Sequence, residues 1–137
     1  MSTRLIPATK HARHVHSDRL HVLVTRIAAG DCAAFRTLYA FLAMRVWRDA
    51  IRLLPPVDAR AVTRSTFVEV WHLARHHRDH EAQETCAWIL GITARRTDDR
   101  IRSAAAPSLG RAGYDDHTHR ELAALLSRVT IDLHLDR

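Results

Sequence analysis

The stretch Asp31–Leu54, DCAAFRTLYAFLAMRVWRDAIRLL, carries the clearest secondary-structure signal in the chain. Its apolar residues recur at intervals of three and four, which places their side chains on one face of an α-helix. The stripe consists of Phe35, Leu38, Tyr39, Leu42, Val46, Ala50, Leu53 and Leu54, with Arg36, Arg45, Arg48 and Arg52 outside it. The pattern predicts a long amphipathic helix that ends at Pro55-Pro56, because proline cannot continue a helix.

The flanking residues predict three more helices. A first helix begins at Arg19, and Gly30 is its expected C-terminal cap, while Asp31 is the expected N-cap of the second. Asp58 is the expected N-cap of a third helix, and a fourth starts at about Thr85. The apolar side of the first helix consists of Leu20, Leu23, Val24 and Ile27. That of the third helix consists of Val62, Phe67, Val70, Trp71 and Ala74, and that of the fourth consists of Trp88, Ile89 and Ile92.

The remaining segments predict connections and one further helix. His76–Glu84 is wholly polar and reads as a loop, and Ser103–His119 contains Pro107, Gly110 and Gly113 and predicts a linker. Because no alternating strand pattern occurs, the expected fold class is all-α. We expect a flexible basic arm at 1–18, a compact helical bundle at 19–103, a linker at 104–119 and a short peripheral helix at 120–137.

The charge balance favours an acidic partner. Among the 137 residues, Lys and Arg number 21 against 15 Asp and Glu, and Lys10 is the only lysine, so the net charge of +6 comes from arginine. An arginine excess is typical of proteins that bind nucleic acid. A GC-rich genome also raises arginine, alanine and histidine together, so composition leaves both explanations open.

Composition also excludes several classes of protein. No apolar run approaches the roughly 18 residues of a membrane span, and the polar N-terminus lacks the apolar core of a secretory signal. Cys32 and Cys86 are too few for a disulfide framework and fit a reducing compartment, so we expect a cytoplasmic protein. Asp115-Asp116 fall in the predicted linker without a positioned partner, so we expect neither an enzyme nor a cofactor.

Three stretches in order resemble region 2 of the extracytoplasmic-function (ECF) group of bacterial sigma-70 factors. They are LVTRIAAGDCAAFRTLYAFLAMRVWRDAIRLL (Leu23–Leu54), DARAVTRSTFVEVW (Asp58–Trp71) and AWILGITARRTDDRIR (Ala87–Arg102). Family members show AAGD after an apolar helix, then AAF..LY and RV...A.RLL. Next come a helix that starts D-A followed by two acidic residues and ends F-x-x-V-W, and a final W-[LI]-x-x-I-A-R. The resemblance covers a little over half of the chain.

The resemblance implies a sigma region 2 bundle that acts by binding and by separating DNA strands. In the family, this region docks on the coiled-coil clamp helices of the RNA polymerase β′ subunit, and it reads and opens the promoter −10 element. The loop after the third helix is where the family holds a flipped −10 base. The DNA-binding residues expected here are Arg95, Arg96, Arg100 and Arg102, whose guanidinium groups suit phosphates and unpaired bases, and His76, His77 and Arg78.

The polymerase-docking helix departs from the family pattern. The residues that occupy its docking positions are Asp58, Arg60, Ala61, Arg64 and Ser65. Asp58 is retained, but Arg60 and Ala61 replace two usually acidic residues, and Arg64 and Ser65 replace a usual Gln-Glu pair. In the family this acidic face meets arginines of the clamp, so like charges would face each other here. We therefore expect weakened docking on core RNA polymerase, or a different protein partner.

The C-terminal stretch Arg120–Arg137 resembles only the first helix of region 4, whose helix-turn-helix reads the −35 element in the family. The sequence therefore predicts a chain that lacks the −35 contact. A natural region-2-only protein, one half of a split sigma factor and a truncated reading frame all fit this pattern.

Two functions follow from the resemblance. The first is a sigma-like transcription regulator that engages polymerase, promoter DNA or both, with a separate protein that supplies region 4. The second is an interaction protein, in which the sigma fold binds an anti-sigma factor or a transcription factor without promoter melting. The altered docking positions distinguish the two.

Some patterns have simpler structural explanations. The arginines that end the fourth helix also fit a solvated surface balanced by Asp98 and Asp99. His72, His76 and His80 have the spacing of metal ligands on a helix, but no Cys, Asp or Glu completes a set, so we expect no metal site. The tryptophans Trp71 and Trp88 are expected to pack in the core rather than stack on bases.

Overall fold

The computed structural model describes residues 19–77, 85–104 and 111–135. They form five helices, which are α1 (19–28), α2 (Cys32–Ile51), α3 (Pro56–His77), α4 (Thr85–Ser103) and α5 (Arg111–Leu135). Within these ranges no residue is in a β-strand, and the all-α prediction is confirmed. The predicted arm 1–18 and most of the predicted loop, Arg78–Glu84, lie outside the described residues.

The junction between α1 and α2 matches the prediction. Gly30 has a φ of +90°, a left-handed conformation that L side chains rarely adopt. The Asp31 carboxylate caps α2, because it accepts a hydrogen bond from the backbone N–H of Ala34 at 3.1 Å. This bond holds the pKa of Asp31 below its ordinary value. Arg26 donates a second hydrogen bond to the Asp31 carboxylate at 2.9 Å, which also lowers this pKa.

The junction between α2 and α3 corrects one prediction. Helix α3 begins at Pro56, because the fixed φ of proline suits the first helical position, where its missing N–H is not needed. Asp58 therefore lies in the first turn of α3 instead of capping it. Its carboxylate contacts α4.

Helix α3 is central, since it packs against α2, α4 and α5. On the side that faces α2, the Phe67 ring meets Tyr39 edge to face with centroids 4.9 Å apart, and Trp71 meets Phe35 in the same way at 5.5 Å. Trp71 and Trp88 are partly buried against this core, so the prediction that they pack there is confirmed.

Helix α5 differs from the prediction for the C-terminal part of the chain. It begins at Arg111, within the predicted linker, and its Leu122 and Leu125 are buried in the same apolar cluster as Phe35 and Phe67. The helix is thus part of the bundle and not peripheral. Its apolar stripe is visible in the sequence, but the helices that cover the stripe, α2 and α3, are far away along the chain.

Candidate nucleic-acid and partner interface

The C-terminal half of α4 carries the arginines predicted to bind DNA, and each of them has an acidic partner. Arg95 donates from Nη2 to both carboxylate oxygens of Glu69 on α3, at 2.6 Å each. Arg96 donates to the same carboxylate at 3.3 Å and to the Tyr114 hydroxyl on α5 at 3.1 Å. Burial acts to lower the pKa of Arg96, but the bond to Tyr114 and the charge of Glu69 outweigh it, so this pKa is raised.

Arg100 joins three helices. Its Nε donates to Asp58 on α3 at 2.9 Å, and its two Nη atoms donate to the two oxygens of Asp115 on α5 at 3.0 and 2.8 Å. This bidentate bond to Asp115 is the main reason that the pKa of Arg100 is raised. Because its side chain is only 14% exposed, Arg100 mainly holds α4 against α3 and α5.

Arg95 and Arg102 are the accessible arginines of this set. The Arg95 side chain is 55% exposed, and Arg102, which pairs with Asp99 on its own helix at 2.7 Å, is 74% exposed. The Arg102–Asp99 pair, in which both side chains are exposed, contributes at most about 1 kcal/mol, so Arg102 can exchange its carboxylate for a phosphate at little cost. Arg95 is held more firmly, because its partner Glu69 is only 17% exposed and also binds Arg96.

The α3 face expected to dock on polymerase is largely covered. Ala61 and Ser65 are buried. The helical spacing places both on the same side of α3 as His72, one to three turns further along. His72 contacts Glu121 of α5, so α5 lies across this side of α3. Arg60 remains exposed and Arg64 is half-buried.

The two histidines predicted to lie in the loop are the last residues of α3. His76 is exposed, whereas His77 is buried and its ring stacks on Trp88, with centroids 3.9 Å apart and planes within 6°. Contact between His77 and DNA would require the ring to leave this stack. Arg78 lies outside the described residues.

Comparison with known proteins gives several matches. "ECF RNA polymerase sigma factor SigK" of Mycobacterium sp. (strain KMS) is 33% identical over 96 residues, which is 69% of this chain and 49% of that protein. The proteins of the same name from Mycobacterium ulcerans (strain Agy99) and Mycobacterium tuberculosis (strain CDC 1551 / Oshkosh) are 31% and 32% identical. They match over 72% and 66% of this chain and 52% and 48% of their own length. This chain is a homologue of the ECF sigma factors.

The homology extends over part of each ECF protein. The chain spans about half the length of the curated relatives it matches. No family model matches the chain, and no solved structure matches it. The relationship to ECF factors therefore depends on these relatives and on the motifs of α1–α4.

The fold gives a physical reason for two departures from the ECF pattern. Ala61 and Ser65 stand where acidic residues are usual, and both are buried on the side of α3 that α5 covers. A carboxylate at either buried position would lose its hydration, which is unfavourable unless a charged partner compensates for it. Arg60, which is exposed, has no such packing role.

Sequence reasoning missed the residues that pair with the α4 arginines, namely Glu69, Tyr114 and Asp115. Glu69 lies 26 positions before Arg95, and Asp115 lies 15 positions after Arg100. Asp115 also falls in the segment predicted to be a linker. The spacing of charged residues along a single helix does not reveal these pairs, because each pair joins two different helices.

Other kinds of site are not seen in the described part of the chain. Across residues 19–77, 85–104 and 111–135, no group of three or more His, Cys, Asp or Glu side chains is arranged to hold a metal ion. Nor does any helix in these ranges have the length and apolar character needed to cross a bilayer. Cys32 and Cys86 are half-buried free thiols.

Proposed function

We propose that this chain is a sigma-factor-like transcription regulator that associates with RNA polymerase, with promoter −10 DNA, or with both during initiation. The observation that carries this proposal is the homology with proteins named ECF RNA polymerase sigma factor, which covers 69% of the chain. The chain acts by binding and by separating DNA strands rather than by catalysis. An anti-sigma factor and a separate region 4 protein are further candidate partners.

The DNA contacts of this proposal involve the accessible side chains near the ends of α3 and α4. Arg95 and Arg102 supply exposed guanidinium groups. His76 lies near the start of α4, since its neighbour His77 stacks on Trp88, and it would make a separate contact at the other end of the α3–α4 pair. Arg96 and Arg100 act as positioning residues, because their bonds to α3 and α5 fix the orientation of α4. Phosphates that approach α4 would displace Glu69 and Asp99 from the two exposed arginines.

A salt titration tests these DNA contacts. The affinity for a labelled single-stranded DNA is measured by fluorescence anisotropy over a range of NaCl concentrations. The logarithm of the binding constant falls linearly with the logarithm of the salt concentration, and the steepness of this line is the salt slope. Arg95→Gln with Arg102→Gln should lower the salt slope by about 1.4, since each phosphate contact on a single strand contributes about 0.7. Arg19→Gln with Arg120→Gln removes the same charge from exposed positions on α1 and α5 and serves as the control. An equal change in both pairs would contradict the assignment to α4.

Association with polymerase through α3 requires a change in α5. Ala61 and Ser65 are buried in the free chain, and Arg100 holds Asp58. We therefore propose that α5 moves away from α3 when the clamp helices bind, which breaks the contact between His72 and Glu121. The charges of Arg60 and Arg64 oppose clamp arginines, so docking is expected to be weaker than in factors with the acidic pattern.

The covered α3 face also supports a second candidate function. If α5 stays in place, the exposed side of α3 presents Arg60 and the half-buried Arg64. Such a basic rim suits an acidic protein partner instead of the polymerase clamp. The chain would then be a sigma-like interaction protein that binds another regulator without melting a promoter.

Size-exclusion chromatography with core RNA polymerase distinguishes the two candidates. The polymerase part of the first function predicts that the chain co-elutes with core enzyme, and that Arg60→Glu with Arg64→Gln tightens this association. Failure of the natural chain to co-elute, together with co-elution of the double variant, would contradict polymerase docking by the natural chain and favour the second function. Arg19→Glu with Arg120→Gln changes the net charge by the same amount at exposed positions and serves as the control.

A further inference from the structure

A groove separates the C-terminal end of α2 from the middle of α4. Its volume of about 420 Å³ lies within the range of about 300–1,000 Å³ that is typical of ligand-binding pockets. The lining residues on α4 follow helical spacing, so they share one side of that helix. The described lining consists of Asp49, Arg52 and Leu53 at the end of α2 and Leu90, Thr93, Ala94, Thr97 and Asp98 on α4.

This groove lies apart from the surfaces that the proposed function uses. At about 100° per residue, Arg95 and Arg102 are about 120–160° around the α4 axis from Leu90 and Thr97. None of the described lining residues belongs to α3. An occupant of the groove would therefore leave the α3 face and the exposed arginines of α4 accessible.

Two carboxylates at the groove have no charged partner. Within residues 19–77, 85–104 and 111–135, neither Asp49 nor Asp98 forms an ion pair, whereas Glu69 and Asp115 each bind arginine. Arg52 also lines the groove but pairs with neither carboxylate. Unpaired carboxylates beside apolar side chains suit a basic group that comes from another molecule.

Thr97 adds a hydrogen-bonding group that the folded chain leaves unused. Its side chain is 3% exposed, and its hydroxyl has no hydrogen-bond partner among the residues that the structure describes. Thr93, one turn earlier, differs in that its hydroxyl donates to the Ile89 carbonyl at 3.1 Å. A buried hydroxyl without a partner is unfavourable, and a donor that enters the groove and reaches Thr97 would remove this cost.

We propose that this groove binds a short segment of a partner protein that inserts an apolar side chain next to a lysine or arginine. Leu53, which is 65% exposed, and the half-buried Leu90 pack against the apolar side chain. Asp49 and Asp98 bind the basic group, and the Thr97 hydroxyl accepts a hydrogen bond from it. The inference goes beyond the proposed function, which assigns polymerase or another regulator to α3 and DNA to the arginines of α4.

The charges at the groove favour such a segment over other occupants. The phosphates of a nucleic acid would face the carboxylates of Asp49 and Asp98, which repel them. A lysine or arginine suits the site because its apolar stem can pack along Leu90 while its charged end reaches a carboxylate. Arg52 remains available to the backbone carbonyl groups of the bound segment.

A titration of the ¹⁵N-labelled full chain with two synthetic peptides, followed by NMR, tests the proposal. The first peptide is acetyl-Ala-Leu-Arg-Leu-Ala-amide, and the second has glutamate in place of arginine. The arginine peptide should shift the amide signals of Leu53, Leu90 and Thr97 at millimolar concentrations. The glutamate peptide should bind at least about tenfold more weakly, because its carboxylate meets Asp49 and Asp98.

Charge-matched variants identify the carboxylates that bind the peptide. Asp49→Asn with Asp98→Asn should weaken binding of the arginine peptide at least about threefold. Asp99→Asn with Asp116→Asn removes the same charge from exposed positions that do not line the groove, and should change the affinity less than about twofold.

Thr97→Val separates a binding role from a structural one. Valine keeps the shape of threonine but lacks the hydroxyl, so the affinity for the arginine peptide should fall about fivefold. The Tm of this variant should not fall, because the hydroxyl has no hydrogen bond to lose in the free chain. A lower Tm with unchanged peptide affinity would contradict the role given to Thr97.

Several results would overturn the proposal. They are equal shifts with both peptides, no shifts with either peptide, shifts confined to residues outside the groove, and equal losses in the two charge-matched variants. Shifts of the groove amides when the chain alone is diluted would assign the groove to a second copy instead of a partner protein. The Asp49→Asn, Asp98→Asn variant should keep the DNA salt slope and the polymerase co-elution of the natural chain, so this proposal and the proposed function can fail separately.

Discussion

Replacement of Leu122 by alanine tests whether α5 is part of the folded core. The Leu122 side chain is 5% exposed, and its neighbour Leu125 is 3% exposed, in the same apolar cluster as the core residues of α2 and α3. A leucine-to-alanine change at such a position lowers the free energy of unfolding by about 2–5 kcal/mol. Since a domain of this size has a total stability of about 5–15 kcal/mol, the loss should be easy to measure.

Urea unfolding followed by two probes provides the assay. Circular dichroism reports all five helices, whereas tryptophan fluorescence reports Trp47, Trp71 and Trp88 on α2–α4. If α5 unfolds together with the bundle, the two probes give coincident transitions in the natural chain and in Leu122→Ala. The midpoint should fall in the variant, and the slope of the free energy against urea should stay the same.

An exposed change on the same helix serves as the control. Ala124 is exposed, so Ala124→Ser should shift the free energy of unfolding by no more than about 0.5 kcal/mol. A similarly small effect of Leu122→Ala would refute the packing assigned to α5. So would a circular dichroism transition that precedes the fluorescence transition in the natural chain, because α5 would then be an independent, weakly held helix.

Further substitutions test the local structure. Gly30→Ala should lower the free energy of unfolding by about 1 kcal/mol, because Gly30 has a positive φ. Gly91→Ala should raise the free energy of unfolding by about 0.5–1 kcal/mol, because an added Cβ there meets no neighbour within 4 Å. Thermal melts check both changes. Asp31→Ala should remove about 1 kcal/mol of capping. The pKa of Asp31 is lowered from 3.8, so the stabilisation that depends on its charge is present above that pH and is lost as the pH falls below it. Asp31→Asn should abolish this pH dependence when the free energy of unfolding is measured across an acid titration. Arg100→Met should cost about 2 kcal/mol in urea unfolding, and its combination with Asp115→Asn should cost less than the sum of the single changes, because Arg100 binds Asp115 directly.

The fold could be predicted from the sequence wherever the signal is local. Gly30 and Asp31 mark the α1–α2 junction, and the 3.6-residue period of α2 identifies its buried face. Asp58 misled the prediction, because an aspartate suits both an N-cap and the first turn of a helix. Its bond to Arg100 on α4, 42 positions away, became visible only in the folded chain.

The candidate site was less predictable, because its properties depend on contacts between helices. The sequence shows four arginines near the end of α4, but not that Glu69 and Asp115 neutralise some of them. It shows Ala61 and Ser65 in place of acidic residues, but not that both are buried in the folded chain.

Hydrogen exchange on a mixture with core RNA polymerase tests the central claim most directly. We propose that the chain associates with polymerase through the α3 face that α5 covers in the free protein. Core polymerase should slow exchange of the α3 amides around Ala61 and Ser65 and speed exchange in α5 around Leu122 and Leu125. Absence of any complex with core polymerase, or a complex in which α5 keeps its full protection, would contradict it.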